Sequence, residues 1–237
     1  MTADPTLVAA VRAALAERAD PERAVHQQRY MKSALPYWGL ANAEVRAALR
    51  PVVEAHPLPD PGAWRATIAR LWDEATHREE WYAAIGLWRH RRYRVWARDP
   101  HPDSVALLKR LVTAGAWWDV VDEIASHCVG DLLRAAPAAM TPVLRGWARE
   151  ENLWVRRVAI LCQLGSKART DRALLTHAIE GSWDDPDFFA RKAIGWALRE
   201  YSKTDAAWVR AYVAAHADRL SPLSRREALA WLAARGA

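Results

Sequence analysis

The chain has 237 residues and a formal net charge of +6, from 34 Lys and Arg against 28 Asp and Glu. A content of 51% hydrophobic and 26% charged residues is typical of a folded globular protein and excludes a disordered one. No apolar run approaches the roughly 18 residues of a membrane helix, and the early Asp4 and Pro5 do not fit a signal peptide. We therefore expect a cytoplasmic protein in which the two cysteines, Cys128 and Cys162, are buried free thiols.

The motifs that are missing exclude nucleotide hydrolases, Rossmann enzymes and ordinary zinc enzymes. The glycines are never closer than the 14 residues between Gly181 and Gly195, so neither a dinucleotide fingerprint nor a phosphate-binding glycine loop can be built. The eight histidines are scattered and the chain has no Cys-x-x-Cys pair. We therefore expect no metal ion and no cofactor.

Helical periodicity runs along the whole chain and predicts an all-α fold of about a dozen helices. Several helix starts are indicated by a capping side chain directly before a proline. In chain order these pairs are Asp20–Pro21, Asp60–Pro61, Thr141–Pro142, Asp185–Pro186 and Ser221–Pro222. The proline-rich stretch from Asp99 to Asp103 separates two helices, and Ser224 with Glu227 has the spacing of a capping box.

The helices recur in pairs. Similar helix starts lie near residues 81, 156, 191 and 225, and Asp122, Arg157, Lys192 and Arg226 follow one another at steps of 35, 35 and 34 residues. A two-helix unit of this period is typical of a HEAT-like repeat α-solenoid. We expect one repeat domain over residues 1–237, with N-terminal helices in 1–60 and about five helical pairs in 61–237.

In a solenoid, equivalent positions line one concave surface, so this row of residues predicts a basic groove suited to a DNA backbone. One further stripe supports the groove: Lys192, Trp196, Arg199 and Lys203 are spaced by 4, 3 and 4 residues and share a helix face. Because the neighbours of Trp196 on that face are mostly charged, we do not expect it in the core. The alternative is that these charges are simply solvated on an exposed face.

A second pair of residues carries the chemistry. Trp118 and Asp122 are four residues apart and share a helix face, which sets an indole beside a carboxylate. The alternative for Asp122 is a surface ion pair with Arg157 of the next repeat. Indoles and a carboxylate in a basic groove suit a cation, either an alkylated purine or the oxocarbenium-like sugar formed as a glycosidic bond breaks. A cationic base leaves without a general acid, so one carboxylate suffices.

The chain resembles the AlkD-type DNA alkylation repair glycosylases, which are HEAT-like repeat proteins, over nearly its whole length. The motifs that carry the resemblance are Arg29–Lys32, Leu71–Asp73, Trp117–Asp122, Asn152–Arg157 and Lys192–Tyr201. The resemblance implies a monofunctional glycosylase that excises cationic purines such as 3-methyladenine and 7-methylguanine from double-stranded DNA. It also implies that the base need not be flipped into a pocket, unlike in most base-processing enzymes.

The resemblance further implies residue roles. Asp122, Trp118 and Trp196 would contact the deoxyribose and support its positive charge, and Asp122 would also position the attacking water. Arg157 would contact a phosphate near the lesion, and Tyr30 would lie near the DNA. We expect a monomer. Two alternatives remain at this point: a catalytically silent protein that binds damaged or branched DNA, and a HEAT scaffold for protein partners.

Overall fold

The computed structural model describes residues 2–235, and over that range it contains only helices and the segments that connect them. The prediction of an all-α fold is therefore confirmed. The chain forms two compact units, Met1–Ala97 and Arg98–Ala237. None of the helices between residues 2 and 235 has the length and apolarity needed to cross a bilayer.

The first unit is built on four helices that pack against one another, with two shorter ones beside them. The helices are α1 Pro5–Ala16, α2 Pro21–Met31, α3 Asn42–Ala55, α4 Pro61–Asp73, α5 Arg78–Arg89 and the four-residue α6 Arg94–Ala97. Its core lies between α1, α3, α4 and α5, where the buried rings of Trp64 and Trp88 have centroids 4.6 Å apart. Burial of these apolar faces is the main force that holds the helices together.

Gly86 of α5 lies close to α3. A Cβ there would lie 2.8 Å from a methyl carbon of Leu49, and because that methyl group ends a flexible side chain, a small shift of it would make room.

The second unit is a succession of packed helices. They are α7 Pro102–Gly115, α8 Trp118–Glu123, α9 Gly130–Ala135, α10 Pro137–Trp147, α11 Leu153–Leu161, α12 Arg172–Glu180, α13 Phe188–Ser202, α14 Ala206–Ala215 and α15 Pro222–Ala233. Helix α11 packs against α8 and α13, and α13 packs against α15, while α10, α12 and α14 cover them from the other side of the core. This alternation puts α8, α11, α13 and α15 in one layer, which holds most of the predicted site residues.

A π-helical segment, Ile124–Val129, joins α8 to α9, so that residues 118–135 form one continuous rod. Just beyond it, Gly130 allows the backbone of α9 to approach α11, because a Cβ there would lie 2.6 Å from the carbonyl oxygen of Cys162. Cys128 and Cys162 are both buried free thiols, as predicted. Segments of π-helix are rare and occur often at functional sites; this one begins two residues after Asp122.

Three of the predicted helix caps are confirmed. The side chains of Asp20, Asp60 and Ser221 accept hydrogen bonds from backbone N–H groups in the first turns of α2, α4 and α15. Each satisfies a donor that the helix itself leaves without a partner.

Two predicted helix starts are wrong. Pro142 lies inside α10, which has already begun at Pro137, and burial of Met140, Leu144 and Trp147 keeps the helix going past the proline. The other error concerns α13, which begins at Phe188 and is capped by Asp187 rather than Asp185. Asp185 instead forms an ion pair with Arg156.

Candidate functional site

A buried ion pair joins α8 to α11. Arg157 Nε lies 2.7 Å from Asp122 Oδ1, and Arg157 Nη2 lies 2.8 Å from Asp122 Oδ2, so the pair is bidentate. The arginine side chain is 3% exposed and the aspartate 14%. The ion pair between these two residues is therefore confirmed as a contact, but it is not a surface pair.

The same guanidinium reaches a third helix. Arg157 Nη1 donates a hydrogen bond of 2.5 Å to the backbone carbonyl of Phe189, in the first turn of α13. We call Asp122, Arg157 and the Phe189 carbonyl the arginine bridge. Because Arg157 presents its donors in a rigid planar fork, the bridge sets the positions of α8 and α13 relative to α11.

The environment of Asp122 acts on its charge in two opposite ways. Burial raises the pKa of Asp122 above its ordinary value of 3.8, and this effect outweighs the hydrogen bonds and the positive charge of Arg157, which lower it. Asp119 and Glu123 contribute to the increase through their negative charges. Burial thus disfavours the ionised form of Asp122, and the hydrogen bonds and charge of Arg157 offset part of that penalty.

Aromatic side chains surround the bridge. Trp118 begins α8 one turn before Asp122 and is partly exposed. Its neighbour Trp117 packs edge-on against Phe189, with ring centroids 5.3 Å apart, and Trp154 packs against the same ring at 5.1 Å. The packing of Trp117 and Trp154 holds the ends of α8, α11 and α13 together and leaves Trp118 facing partly into solvent.

The stripe on α13 is more neutral than its sequence suggests. The buried residues of α13, such as Ala193, Ile194 and Ala197, face the core, and Trp196 is partly exposed on another side of the helix. Lys192 Nζ lies 2.7 Å from Glu227 Oε1, and Arg199 Nη1 lies 2.9 Å from Glu227 Oε2. One carboxylate on α15 therefore holds the two cations that flank the indole.

Glu227 is a residue that sequence reasoning misassigned. Ser224 lies inside α15, which is capped by Ser221, so the predicted capping box with Glu227 is wrong. The pKa of Glu227 is lowered from 4.5, first by the hydrogen bond from Lys192. Its position is 35 residues after Lys192, which continues the earlier steps without change, whereas Arg226, assigned to the row because its helix start resembles the earlier ones, is exposed.

The remaining predicted residues lie apart from these contacts. Lys203 follows the end of α13, and its ammonium group lies 2.5 Å from Glu200. Tyr30 belongs to the first unit, where it lies on α2 with 75% of its surface exposed. The predicted site residues that the structure brings into direct contact are thus Asp122 with Arg157, while Glu227 links Lys192 to Arg199.

Comparisons with known proteins agree on one family. A family model described as DNA alkylation repair enzyme matches residues 11–232 of the chain. No curated protein matches it. A solved structure described as "Predicted DNA alkylation repair enzyme from Enterococcus faecalis" is 33% identical and superposes with a TM-score of 0.79, over 91% of this chain and 97% of that one. The chain belongs to the family of DNA alkylation repair enzymes.

Proposed function

We propose that this protein is a monofunctional DNA N-glycosylase that excises cationic N3- and N7-alkylated purines, such as 3-methyladenine and 7-methylguanine, from double-stranded DNA. The observation that carries the proposal is the arginine bridge: a carboxylate held in place by two hydrogen bonds yet still 14% exposed. Such a group is preorganised to face a positive charge that develops next to it.

The reaction needs little from the protein beyond this group. When the C1′–N bond breaks, its electron pair leaves with the base, which becomes neutral, so no general acid is required. The sugar becomes oxocarbenium-like and is stabilised by the negative charge of Asp122. Each carboxylate oxygen has two lone pairs and gives one to Arg157, so Asp122 retains acceptor sites for the water that adds to C1′ and for the proton that this water loses as the C1′–O bond forms.

The partly exposed indoles supply the second component. Trp118 and Trp196 present ring faces that attract a cationic base or sugar, at about 0.5–2 kcal/mol for each such contact. Recognition on an open surface rather than in a pocket would let the lesion stay in the duplex and would allow bulkier adducts.

Binding to DNA is the role that we assign to the cations. Lys192, Arg199 and Lys203 lie on or next to α13, each beside a carboxylate. A DNA phosphate would compete with those carboxylates for the same donors. The phosphate contact expected of Arg157 does not fit its burial, since the side chain is 3% exposed and all three of its nitrogens donate within the protein. We therefore assign Arg157 the positioning of Asp122, and Tyr30 a contact with the duplex from the first unit.

The test is release of free base from a duplex that carries a single 7-methylguanine, with an undamaged duplex of the same sequence beside it. We expect free 7-methylguanine and an abasic strand that breaks only on treatment with alkali, which would identify a monofunctional glycosylase. Salt-dependent binding without base release, with either 7-methylguanine or a bulky N7 adduct, would contradict the proposal and indicate a silent DNA-binding protein instead.

A further inference from the structure

The first unit holds a fully buried carboxylate that binds the backbone of another segment. Glu79 lies in the first turn of α5 and is 0% exposed. It accepts hydrogen bonds from three consecutive backbone N–H groups, those of Trp38, Gly39 and Leu40, at 3.1, 2.8 and 3.0 Å. We call residues 38–40, which lie between α2 and α3, the anchored segment. Because the acceptor is a carboxylate, these hydrogen bonds are about twice as strong as those between neutral groups.

The backbone of the anchored segment is shaped for this contact. Gly39 has a φ of 95°, in the left-handed region that favours glycine. Successive N–H groups that point to one side form a nest for an anion, and a nest needs such a residue. A Cβ at Gly39 would also lie 2.1 Å from the carbonyl oxygen of Asp20, so the glycine lets the segment lie directly against the start of α2.

The carbonyl groups of the anchored segment hold α2. In chain order, they accept hydrogen bonds from three donors on α2 and its cap. The donors are the backbone N–H of Asp20, the guanidinium of Arg23 and the side-chain amide of Gln27. The hydrogen bond from Asp20 is 2.7 Å long and that from Gln27 is 3.2 Å long. Glu79 and α2 thus hold opposite edges of one short stretch of backbone.

Apolar packing contributes little to the position of α2. Of its 11 residues, all of which the structure describes, Met31 alone is buried. Burial of apolar faces, which holds the core helices of this unit together, is therefore small for this helix. The polar contacts with the anchored segment take its place, and they depend on where Glu79 holds that segment.

The position of α2 matters for Tyr30. Tyr30 follows Arg23 by seven residues, which puts it on the same face of the helix two turns later, about 10 Å further along the axis. A tilt of α2 by about 10° at the anchored segment would therefore move Tyr30 by about 2 Å. With 75% of its surface exposed, the tyrosine is placed mainly by the helix that carries it.

We propose that Glu79 is a positioning residue for DNA binding: it fixes the anchored segment, which fixes α2 and so directs Tyr30 toward the duplex. The inference rests on the proposed function for one point, the contact of Tyr30 with DNA. It implies that the buried Glu79 and the exposed Tyr30 act on DNA affinity through the same contact. Two residues that act through one contact have non-additive effects when both are changed.

The experiment is a double-mutant cycle on the affinity for an undamaged, labelled duplex, measured by fluorescence anisotropy well below the lowest Tm. Its variants are Glu79→Gln, Tyr30→Ala and the double variant, and the control is Glu80→Gln in the same two backgrounds. Glu80 is also 0% exposed and lies in α5, but it binds Arg12 of α1 at 2.6 Å and the backbone N–H of Thr76 at 2.7 Å. Both glutamine variants remove one buried negative charge, so an effect of charge or of general loosening would appear in both.

We expect Tyr30→Ala to weaken binding by about 2- to 10-fold, the value of one hydrogen bond, and Glu79→Gln to weaken it to a similar extent. The double variant should bind no more weakly than Tyr30→Ala. Glu80→Gln should leave the affinity unchanged in both backgrounds. Losses that multiply in the Glu79 double variant would overturn the proposal, as would equal affinities of Glu79→Gln and Glu80→Gln. Wild-type affinity in Tyr30→Ala would overturn it as well.

A second variant breaks the same connection from the side of α2. Gln27 is partly exposed, so Gln27→Ala removes the hydrogen bond to the anchored segment and spares the core, which keeps the test open if Glu79→Gln does not fold. Its loss of affinity should also disappear in the Tyr30→Ala background, and a loss that persists there would overturn the proposal. Base release is measured separately. A wild type that shows this coupling but releases no base would count against the glycosylase and not against the role of Glu79.

Discussion

The sharpest test of the site replaces Asp122 with asparagine. The amide has the size of the carboxylate but no charge, and it offers one acceptor oxygen where Arg157 now finds two. The change therefore removes the negative charge and one charge-assisted hydrogen bond while leaving the bridge sterically intact. It separates the chemical role of the carboxylate from its role in holding α8 to α11.

The cost in stability should also be clear. The variant leaves the guanidinium of Arg157, which is 3% exposed, without an opposite charge, and the amide NH2 group faces one of its donors. Removing one partner of a buried ion pair costs about 3–5 kcal/mol. This lowers the Tm of a chain of this length by about 6–20 °C.

The cost in rate should be of similar size. A preorganised group that stabilises charge in the transition state contributes a factor on the order of 10² to 10³. At 1.36 kcal/mol for each factor of ten, that corresponds to about 2.7–4 kcal/mol of activation free energy. Affinity for the duplex should stay similar or increase, since an anion near the DNA has been removed.

A matched control exists in the same unit. Asp185 pairs with Arg156, and both side chains are 14% exposed, the same fraction as Asp122. Asp185→Asn therefore perturbs a comparable ion pair, three residues before Phe188 and the start of α13. We expect a similar loss of Tm and nearly normal base release.

The assay is single-turnover release of 7-methylguanine from a saturated duplex, at a temperature at least 15 °C below the lowest Tm. A rate within a few-fold of wild type for Asp122→Asn would contradict a catalytic role for the carboxylate. An equal loss of activity in Asp185→Asn would contradict it too, because loosened helix packing would then explain both results.

Further outcomes are expected at four residues: Trp196, Glu227, Asp122 and Gly195. Trp196→Ala should slow base release by about 2- to 30-fold, the value of one cation–π contact, with little change in Tm since the ring is partly exposed; equal rates would make it a packing residue. Glu227→Gln should free Lys192 and Arg199, which makes binding to undamaged DNA tighter and more salt-dependent in anisotropy titrations. Because the pKa of Glu227 is lowered, its stabilising effect is present above pH 4.5 and lost as the pH falls, which acid unfolding of wild type and variant would reveal. Base release should decline on acidification with a midpoint above 3.8, since burial raises the pKa of Asp122, and a pH–rate profile corrected for spontaneous depurination measures this. Gly195→Ala should destabilise the protein by about 1–3 kcal/mol in chemical unfolding, because the new Cβ would lie 2.4 Å from Glu227 Cβ.

The fold class could be predicted from sequence because it depends on local patterns. Helical periodicity and capping residues such as Asp20 and Asp60 act within a few residues of where they stand. The predicted helix starts are wrong where an ion pair with a residue distant in sequence, or packing in the core, determines the structure. Asp185 has the sequence context of a cap but is taken by Arg156, and Pro142 is carried inside α10 by the packing of its apolar neighbours.

In the candidate site, too, some contacts could be predicted from the sequence and others could not. The repeat of 35 residues brought Asp122 and Arg157 into register, and their contact follows from it. The link from Arg157 to the Phe189 carbonyl could not be found, because a backbone acceptor has no signature in sequence. Glu227 could have been found, since it continues the 35-residue step, but the resemblance of Arg225–Arg226 to the earlier helix starts favoured Arg226.

The arginine bridge resolves a conflict that the proposed chemistry creates. A carboxylate must be partly shielded from water to act strongly on a nearby positive charge, yet shielding raises its pKa and weakens it as an anion. Arg157 opposes that effect with a charge of its own, and it does so from a buried position that keeps solvent away. The same guanidinium holds the first turn of α13, two turns before Trp196. One side chain thus maintains the charge of Asp122 and sets the placement of the helices that carry both partly exposed indoles, which is why we regard Arg157 as central to positioning in the proposed site.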